Sequence, residues 1–217
     1  MIVLQPDRIL LRRQVCALAP KLSGDILDVG GAGGNRYRHM FTHAKSLRSL
    51  DINPNLHPDI VGSAEEIPLP DASFDGVICT QMLEHVPHPW KALAEMHRIL
   101  RPGGKVLLTV PQWNELHEEP RDYYRYTNFG LKVLCEEAGF AIEEIHQRGK
   151  YHSFMVQCRN RRWIDLLHPY QNFLAMLILS PLSYVCSHAG IWLDGLDSSL
   201  SAQKHVIGWA VLLRKDR

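Results

Sequence analysis

A short apolar run ends in a glycine-rich turn at residues 25–34, which read Asp-Ile-Leu-Asp-Val-Gly-Gly-Ala-Gly-Gly. Ile26, Leu27 and Val29 predict a buried parallel strand, and the glycines after it would let a ligand lie against bare backbone. Asp51 follows the next apolar run, where an acid can accept hydrogen bonds from both hydroxyls of a ribose. This spacing predicts an adenosine-binding site.

The position of Asp28 distinguishes between adenosine ligands. Its carboxylate directly precedes the first glycine of the turn, where it would repel a pyrophosphate seated on a helix N-terminus. Arg36 also stands where a dinucleotide-binding turn needs a small residue for close helix–strand packing. An ammonium group would instead be attracted to Asp28. Both residues favour S-adenosylmethionine (SAM), which carries an ammonium and a sulfonium but no phosphate, over a nicotinamide dinucleotide.

Four segments resemble the motifs of class I SAM-dependent methyltransferases of the methyltransferase type 11 kind. They are residues 28–34, 63–75, 81–86 and 99–105, in the order and spacing of that family between residues 22 and 145. Ala32 and Ser63 depart from the family pattern, which has a glycine and often an aspartate at these positions. The resemblance implies a Rossmann-like enzyme that uses SAM and releases S-adenosylhomocysteine.

The same resemblance implies which residues would bind the cofactor. They come from the glycine turn, the ends of the second and fourth strands, and the loop before the fourth strand. The expected set is Asp28, Gly30, Gly31, Ala32, Gly34, Asp51, Ile52, Ser63, Ala64, Glu65, Thr80 and Gln81.

The acceptor side of the site is predicted in residues 111–126, which leave the fifth strand and are rich in aromatic and charged side chains. Methyl transfer requires the nucleophile, the methyl carbon and the sulfur to be aligned, and a hydroxyl acceptor usually needs a general base. His117 is the first candidate base and His85 the second. Substrate binding is predicted for Trp113, Tyr123, Tyr124 and Arg125. In the structural alternative, the tyrosines of this loop only attach it to the sheet, and His85 only orders the pocket.

Composition and motif content argue against several other functional classes. The formal charge is +1, from 24 basic and 23 acidic residues, so no broad field attracts nucleic acid. The stretch after the fourth strand lacks an Asp-Pro-Pro-Tyr-type motif, which argues against DNA or glutamine methylation. The five cysteines are scattered without metal-ligand spacing. We therefore expect reduced thiols, no metal and no signal peptide, in a cytoplasmic protein.

Predicted strands and helices alternate along the chain. We expect strands near 25–29, 47–52, 59–61, 74–80, 106–110 and 140–148, an antiparallel last strand at 205–213, and helices at 6–20, at 89–100 and from Thr127. Trp90 and Val133 are expected on buried helix faces. Such alternation predicts a doubly wound α/β fold with a mostly parallel seven-stranded sheet, whose ligands bind at the carboxyl ends of the strands.

The expected organisation is one methyltransferase domain over residues 1–217. It comprises an N-terminal helix (1–21), a SAM-binding core (22–148), a helical insertion (149–203) and a closing strand (204–217). Residues 169–193 contain no Asp, Glu, Lys or Arg. Their length would allow them to cross a bilayer, but the following segment must rejoin the sheet and Pro181 is expected to break the run.

Two interpretations of the apolar residues 166–193 stay open. They form a helical hairpin that packs over the substrate side or against a second subunit, or they lie in a membrane interface with the preceding arginines on lipid phosphates. The predicted function is methyl transfer from SAM to a small-molecule or glycan- or lipid-precursor acceptor, with oxygen slightly favoured over nitrogen. The alternative is a SAM-binding scaffold protein with this fold and no turnover.

Overall fold

The computed structural model describes residues 3–31 and 37–216. Its strands are β1 (Gly24–Val29), β2 (Ala44–Asp51), β3 (Ile60–Val61), β4 (Phe74–Thr80), β5 (Leu100–Pro111), β6 (Phe140–Arg148) and β7 (Gly208–Lys215). Its α-helices are α1 (Pro6–Leu18), α2 (Pro89–Ile99), α3 (Asn128–Glu137), α4 (Tyr151–Leu167), α5 (Phe173–Leu196) and α6 (Leu200–Gln203). The described residues fall into two compact units. The sheet unit holds residues 14–146 and those from Trp209 onward, and the helical unit holds those up to Arg13 together with residues 147–208.

The seven strands form one sheet in the order β3-β2-β1-β4-β5-β7-β6. Strand β1 pairs in parallel with β2 on one side and with β4 on the other, and the pairs β2–β3 and β4–β5 are also parallel. The chain order therefore reverses between β1 and β4, and the carboxyl ends of the strands at such a switch point form the ligand crevice of doubly wound sheets. The expected α/β fold with a mostly parallel seven-stranded sheet is confirmed.

The central strands are almost continuously apolar because both of their faces are buried. Ile26 and Leu27 of β1, Val77 of β4, and Val106 and Leu107 of β5 are all fully buried. A parallel strand covered on both faces has no solvent side, so neighbouring positions are both apolar. This packing leaves polar side chains to the strand ends, where the site lies.

Three local expectations are wrong. Trp90 and Val133 are 49% and 55% exposed. The buried stripe of α2 runs through Ala92, Leu93, Met96 and Ile99, while Trp90 lies in the first helical turn and packs edge-on against His88. Strand β5 begins at Leu100, not near residue 106. Residues 101–104 form an irregularity in its pairing with β4, so the Pro-Gly-Gly segment lies within the strand.

The hairpin observed in the helical unit differs from the expected one. Its two arms are α4 and α5, which contact each other and are joined by residues 168–172, so residues 166–193 supply mainly one arm. Pro181 does not break α5, which continues through it. One missing N–H is tolerated there, and the next turns are held by tertiary hydrogen bonds: Ser183 accepts the N–H of Leu4, and Ser187 donates to the Leu4 carbonyl.

Candidate functional site

The turn after β1 requires glycine at its first position. Gly30 has φ +75° and its N–H donates to the carbonyl of Leu50 at 2.8 Å. A Cβ at Gly30 would lie 2.2 Å from Cγ of Met82, and one at Gly31 would lie 2.7 Å from the Asp28 carboxylate. Bare backbone at these positions fits a turn that a ligand approaches closely. The predicted cofactor residues Ala32 and Gly34 lie outside the described residues.

Asp28 carries a buried carboxyl group at the end of β1. It is 9% exposed, and within residues 3–31 and 37–216 its Oδ1 atom has no hydrogen-bond partner. Burial, with a smaller contribution from the charge of Asp51, raises the pKa of Asp28 to about 7. A carboxylate that has lost its hydration is stabilised by a cation at hydrogen-bond distance, and a ligand ammonium group is such a cation.

Asp51 ends β2 at the neighbouring strand terminus. Its Oδ1 accepts the N–H of Asn53 at 2.9 Å, and its backbone carbonyl accepts the N–H of Gly62 at 3.0 Å. These two bonds order the segments that follow β2 and β3. The second acid of the predicted adenosine site is therefore held at the switch-point edge of the sheet.

A cleft of about 240 Å³ lies at this edge. Six of the predicted cofactor residues line it, together with two of the predicted acceptor-side residues. The cofactor residues are Gly30, Asp51, Ile52, Ser63, Ala64 and Glu65, and the acceptor-side residues are His85 and Tyr123. Asp28 and Gly31 belong to the adjoining turn. Thr80 ends β4, and Gln81 after it donates its amide to Oγ1 of Thr109 on β5 at 3.2 Å.

The cleft also contains residues that were not predicted from the sequence. They are Leu50, Gly62, Met82, Val86, Pro87 and Arg121. Met82 and Val86 belong to the motif at 81–86 and could have been found from it. Arg121 gives no local signal, because only the path of the loop after β5 brings it to this wall.

The loop after β5 is held by its own charged residues. The guanidinium of Arg125 donates to both carboxylate oxygens of Asp122, at 2.7 and 2.8 Å, and to the carbonyl of Glu115 at 2.8 Å. The hydrogen bonds from Arg125 hold the pKa of Asp122 well below its usual range. Arg125, predicted to bind substrate, thus has loop contacts that use much of its hydrogen-bonding capacity.

The tyrosines of this loop differ in their surroundings. Tyr124 donates its hydroxyl to the carbonyl of Pro87 at 2.9 Å, and buried Tyr126 donates to that of Leu83 at 2.9 Å. Both attach the loop to the segment after β4, as in the structural alternative. Tyr123 lines the cleft and is 47% exposed. Trp113 lies near the start of the loop and is partly buried.

The two candidate bases meet although 32 positions separate them in the sequence. The His85 and His117 rings pack edge to face, with centroids 4.8 Å apart. His85 Nδ1 lies 2.5 Å from the carbonyl of Arg121, and His117 Nδ1 lies 3.0 Å from that of Glu115. Because a carbonyl can only accept, Nδ1 of His85 carries a proton in its contact. A neutral His85 ring in this tautomer has Nε2 as its proton acceptor. Nδ1 of His117 also lies 3.4 Å from the Arg125 guanidinium, which can only donate, so its contacts do not assign the same tautomer to His117.

Glu84, His85 and His117 also contain the donor atoms of a potential metal site. One ligand atom from each lies within 4.8 Å of the others, and the His85 Nε2 to Glu84 Oε1 distance is 4.0 Å. Ligands of a tetrahedral zinc ion are about 3.3 Å apart, given bonds of about 2.0–2.1 Å. These side chains would therefore have to move closer together to bind an ion.

The central part of the chain is similar in sequence to known methyltransferases. Residues 27–108 match the family model described as a methyltransferase domain. A ubiquinone/menaquinone biosynthesis C-methyltransferase from Rickettsia bellii is 31% identical over 135 residues, 52% of this chain and 54% of that protein. A ubiquinone biosynthesis O-methyltransferase from Pseudomonas paraeruginosa is 31% identical over 116 residues, 45% of this chain and 47% of that protein.

A solved structure extends the likeness to the fold of most of the chain. It is phosphoethanolamine N-methyltransferase 2 from Haemonchus contortus, bound to phosphomonomethylethanolamine and S-adenosylhomocysteine. The TM-score is 0.59 at 21% identity, over 94% of this chain and 53% of that one. The chain spans about half, or less, of the length of the curated relatives that it matches.

Proposed function

We propose that this chain, whose residues 27–108 match the methyltransferase-domain family model, is a class I SAM-dependent enzyme that transfers the methyl group of SAM to a small-molecule or glycan- or lipid-precursor acceptor, preferably to oxygen. One observation carries the proposal. Asp51 and His85 both line the cleft at the strand ends, so the acid proposed to bind the adenosine and the proposed proton acceptor belong to the same cavity.

The residues of the turn fit SAM. The buried Oδ1 of Asp28, which has no hydrogen-bond partner among the described residues, suits the ammonium group, and the space that a Cβ would fill at Gly30 and Gly31 suits a ligand lying on the backbone. Asp51 would accept the ribose hydroxyls, and Ser63 with Ala64 would lie beside the adenine. Bound SAM supplies an electrophilic methyl group on a sulfonium. The residues on the acceptor side of the cleft must then align the acceptor and, for a hydroxyl acceptor, take its proton.

His85 has the geometry of a general base there. Its ring is fixed by the Nδ1–H bond to the Arg121 carbonyl, which leaves Nε2 to take the proton of an acceptor hydroxyl. The edge contact with His117 restricts the ring further. Tyr123, exposed on the cleft wall, offers an aromatic face and a hydroxyl for orienting the acceptor. An amine acceptor needs no such base when it arrives neutral, so the pair supports oxygen over nitrogen.

The acceptor class is tested by methyl transfer from radiolabelled SAM into extracts. The full chain is incubated with an aqueous metabolite extract and with a solvent extract of lipids and lipid precursors. We expect label in a product of one extract, stable to mild acid as an ether is. Calorimetry with SAM is the control. Binding of SAM without any labelled product from either extract would favour the scaffold alternative.

The relatives suggest where to begin. Two of them are named for ubiquinone biosynthesis, so hydroxylated aromatic precursors with and without a prenyl tail are suitable first probes. A preference for the tailed compound would indicate a lipophilic acceptor. Equal rates with both would indicate that only the aromatic hydroxyl is recognised.

A further inference from the structure

Helix α5 has polar residues on the later part of its buried face and an apolar exposed face; its buried residues are Met176, Leu179, Ser183, Ser187, Gly190 and Asp194. The exposed stripe is Leu174, Ile178, Leu182, Val185, Trp192 and Leu196, each 52–68% exposed. These residues recur at helical spacing, with Ala189 completing the series between Val185 and Trp192. The helix has 24 residues, about 36 Å at 1.5 Å per residue. Single exposed apolar residues are ordinary, but a continuous stripe of this length marks an interaction surface.

The polar residues of α5 are used inside the helical unit. Ser183 accepts the N–H of Leu4 at 3.0 Å, and Ser187 donates to the carbonyl of the same residue at 3.1 Å. Asp194 accepts the backbone N–H groups of Lys150 and His152 at 2.8 and 2.9 Å. These hydrogen bonds, together with the packing of Met176 and Leu179 against Val3, fix the orientation of α5 within its own unit and leave the apolar stripe exposed.

The exposed side of α4 adds positive charge. Arg159 and Arg162 are exposed and lie at helical spacing with Met155 and Leu166, which are 47% and 53% exposed. Residues 150–172 contain four basic residues and one acidic residue. Aromatic side chains suited to a lipid–water boundary are exposed on the same two helices and their connection: Trp163, Tyr170, Tyr184 and Trp192.

We propose that the α4–α5 hairpin is a docking surface for an anionic phospholipid bilayer, on which it lies in the interfacial plane. The α5 stripe enters the acyl boundary, and Arg159 and Arg162 contact lipid phosphates. This assigns peripheral membrane attachment to the protein. It does not depend on which acceptor is methylated.

Lying in the plane is favoured over spanning. By length and composition α5 could cross a membrane. However, the chain after α5 returns to β7, which is a neighbour of β6 in the same sheet. A single crossing would leave these two strands on opposite sides of the bilayer, and α4 cannot supply a second crossing because it contains three arginines and Asp165.

Flotation of the full chain with vesicles tests the proposal. One set contains only phosphatidylcholine and the other contains 30% phosphatidylglycerol. We expect flotation with the anionic set, weak flotation with the neutral set and loss of bound protein at high salt. The double variant I178E/L182E should bind at least tenfold more weakly, and R159E/R162E about thirtyfold more weakly.

The matched control is F129E/V133E. These residues of α3 are 76% and 55% exposed, and they have the same four-residue spacing in the sheet unit. This variant should float like the unchanged protein. Calorimetry with SAM shows for every variant that the sheet unit is folded, so loss of docking is distinguished from loss of the enzyme.

Three results would overturn the proposal: failure of the unchanged protein to float with anionic vesicles, equal flotation of I178E/L182E, or equal loss with F129E/V133E. If α5 instead covers a second copy, ultracentrifugation without lipid will show a dimer that I178E/L182E converts to a monomer, and flotation will fail.

Quenching by brominated lipids measures how deeply α5 enters the bilayer. The part of the protein fluorescence that the Trp192→Phe variant lacks comes from Trp192. This part should be quenched by bromines near the headgroup. Quenching only by bromines at the chain ends would contradict the interfacial position.

Discussion

His85 and His117 lie edge to face, with their ring planes at 82°, although they come from different loops after β4 and β5. Each anchors Nδ1 to a backbone carbonyl. Both rings are thereby oriented, but only His85 lines the cleft. This asymmetry predicts unequal roles.

We expect His85→Asn to lower kcat/KM by about 10²–10⁴-fold for a hydroxyl acceptor, because the removed Nε2 is the general base. Asparagine retains an N–H that can reach the Arg121 carbonyl. The SAM dissociation constant should change less than threefold. His117→Asn should lower the rate less. Initial rates against pH and calorimetry measure these effects, and full activity of His85→Asn would exclude it as the base.

Asp28 predicts a pH dependence of SAM binding. Its pKa is raised to about 7, and an ammonium partner requires the ionised form. Affinity should therefore fall as the pH drops below 7, by up to about tenfold per pH unit. Calorimetry between pH 5.5 and 8 tests this. Asp28→Asn should bind weakly with no slope in this range, and a pH-independent affinity of the unchanged protein would contradict the ammonium assignment.

The same raised pKa predicts that Asp28 destabilises the ligand-free fold. An acid whose pKa is higher in the folded than in the unfolded state contributes most to the stability of the folded state at low pH. This contribution to stability is lost as the pH rises from about 4 to 7. Asp28→Asn should thus stabilise the ligand-free protein above pH 7, by about 1–3 kcal/mol. Urea denaturation at pH 5 and 8 measures the difference, with exposed Asp71→Asn as the control. A destabilised Asp28→Asn at pH 8 would show that the carboxylate has a partner.

Asp51→Ala should weaken SAM binding by about 1–3 kcal/mol, because two ribose hydroxyls lose a charged acceptor. The charge of Asp51 also raises the pKa of Asp28. In Asp51→Asn, the pH midpoint of SAM binding should therefore move downward. Asp71→Ala provides the control. Unchanged affinity and an unchanged midpoint would count against the ribose assignment and the coupling.

Gly30 and Gly103 form a pair that separates crowding from backbone strain. Both have positive φ, +75° and +79°, but a Cβ at Gly103 meets no atom within 4 Å. Gly103→Ala should cost only the left-handed strain, about 1 kcal/mol. Gly30→Ala should cost about 1–3 kcal/mol more, since Met82 must move. Urea denaturation measures both. In a Met82→Ala background the extra cost should shrink, and equal costs for the two glycines would refute the crowding at Gly30.

The order of strands and helices, the glycine turn and the two acids could be predicted from the sequence because they depend on local patterns. Apolar runs define buried strands, and the end of a strand places its next residues at the sheet edge. Burial of individual helix positions was less predictable. The apolar side chains of Trp90 and Val133 suit either side of a helix, and their exposure depends on which face meets the sheet.

Only the tertiary structure decided how distant residues meet. The contact of His85 with His117 and the inclusion of Arg121 in the cleft wall depend on the path of one loop, which no period in the sequence encodes. The outward stripe of α5 was decided in the same way. Composition shows that the helix is apolar, but which of its sides faces out depends on hydrogen bonds from the backbone N–H groups of Leu4, Lys150 and His152 and on the burial of Met176 and Leu179.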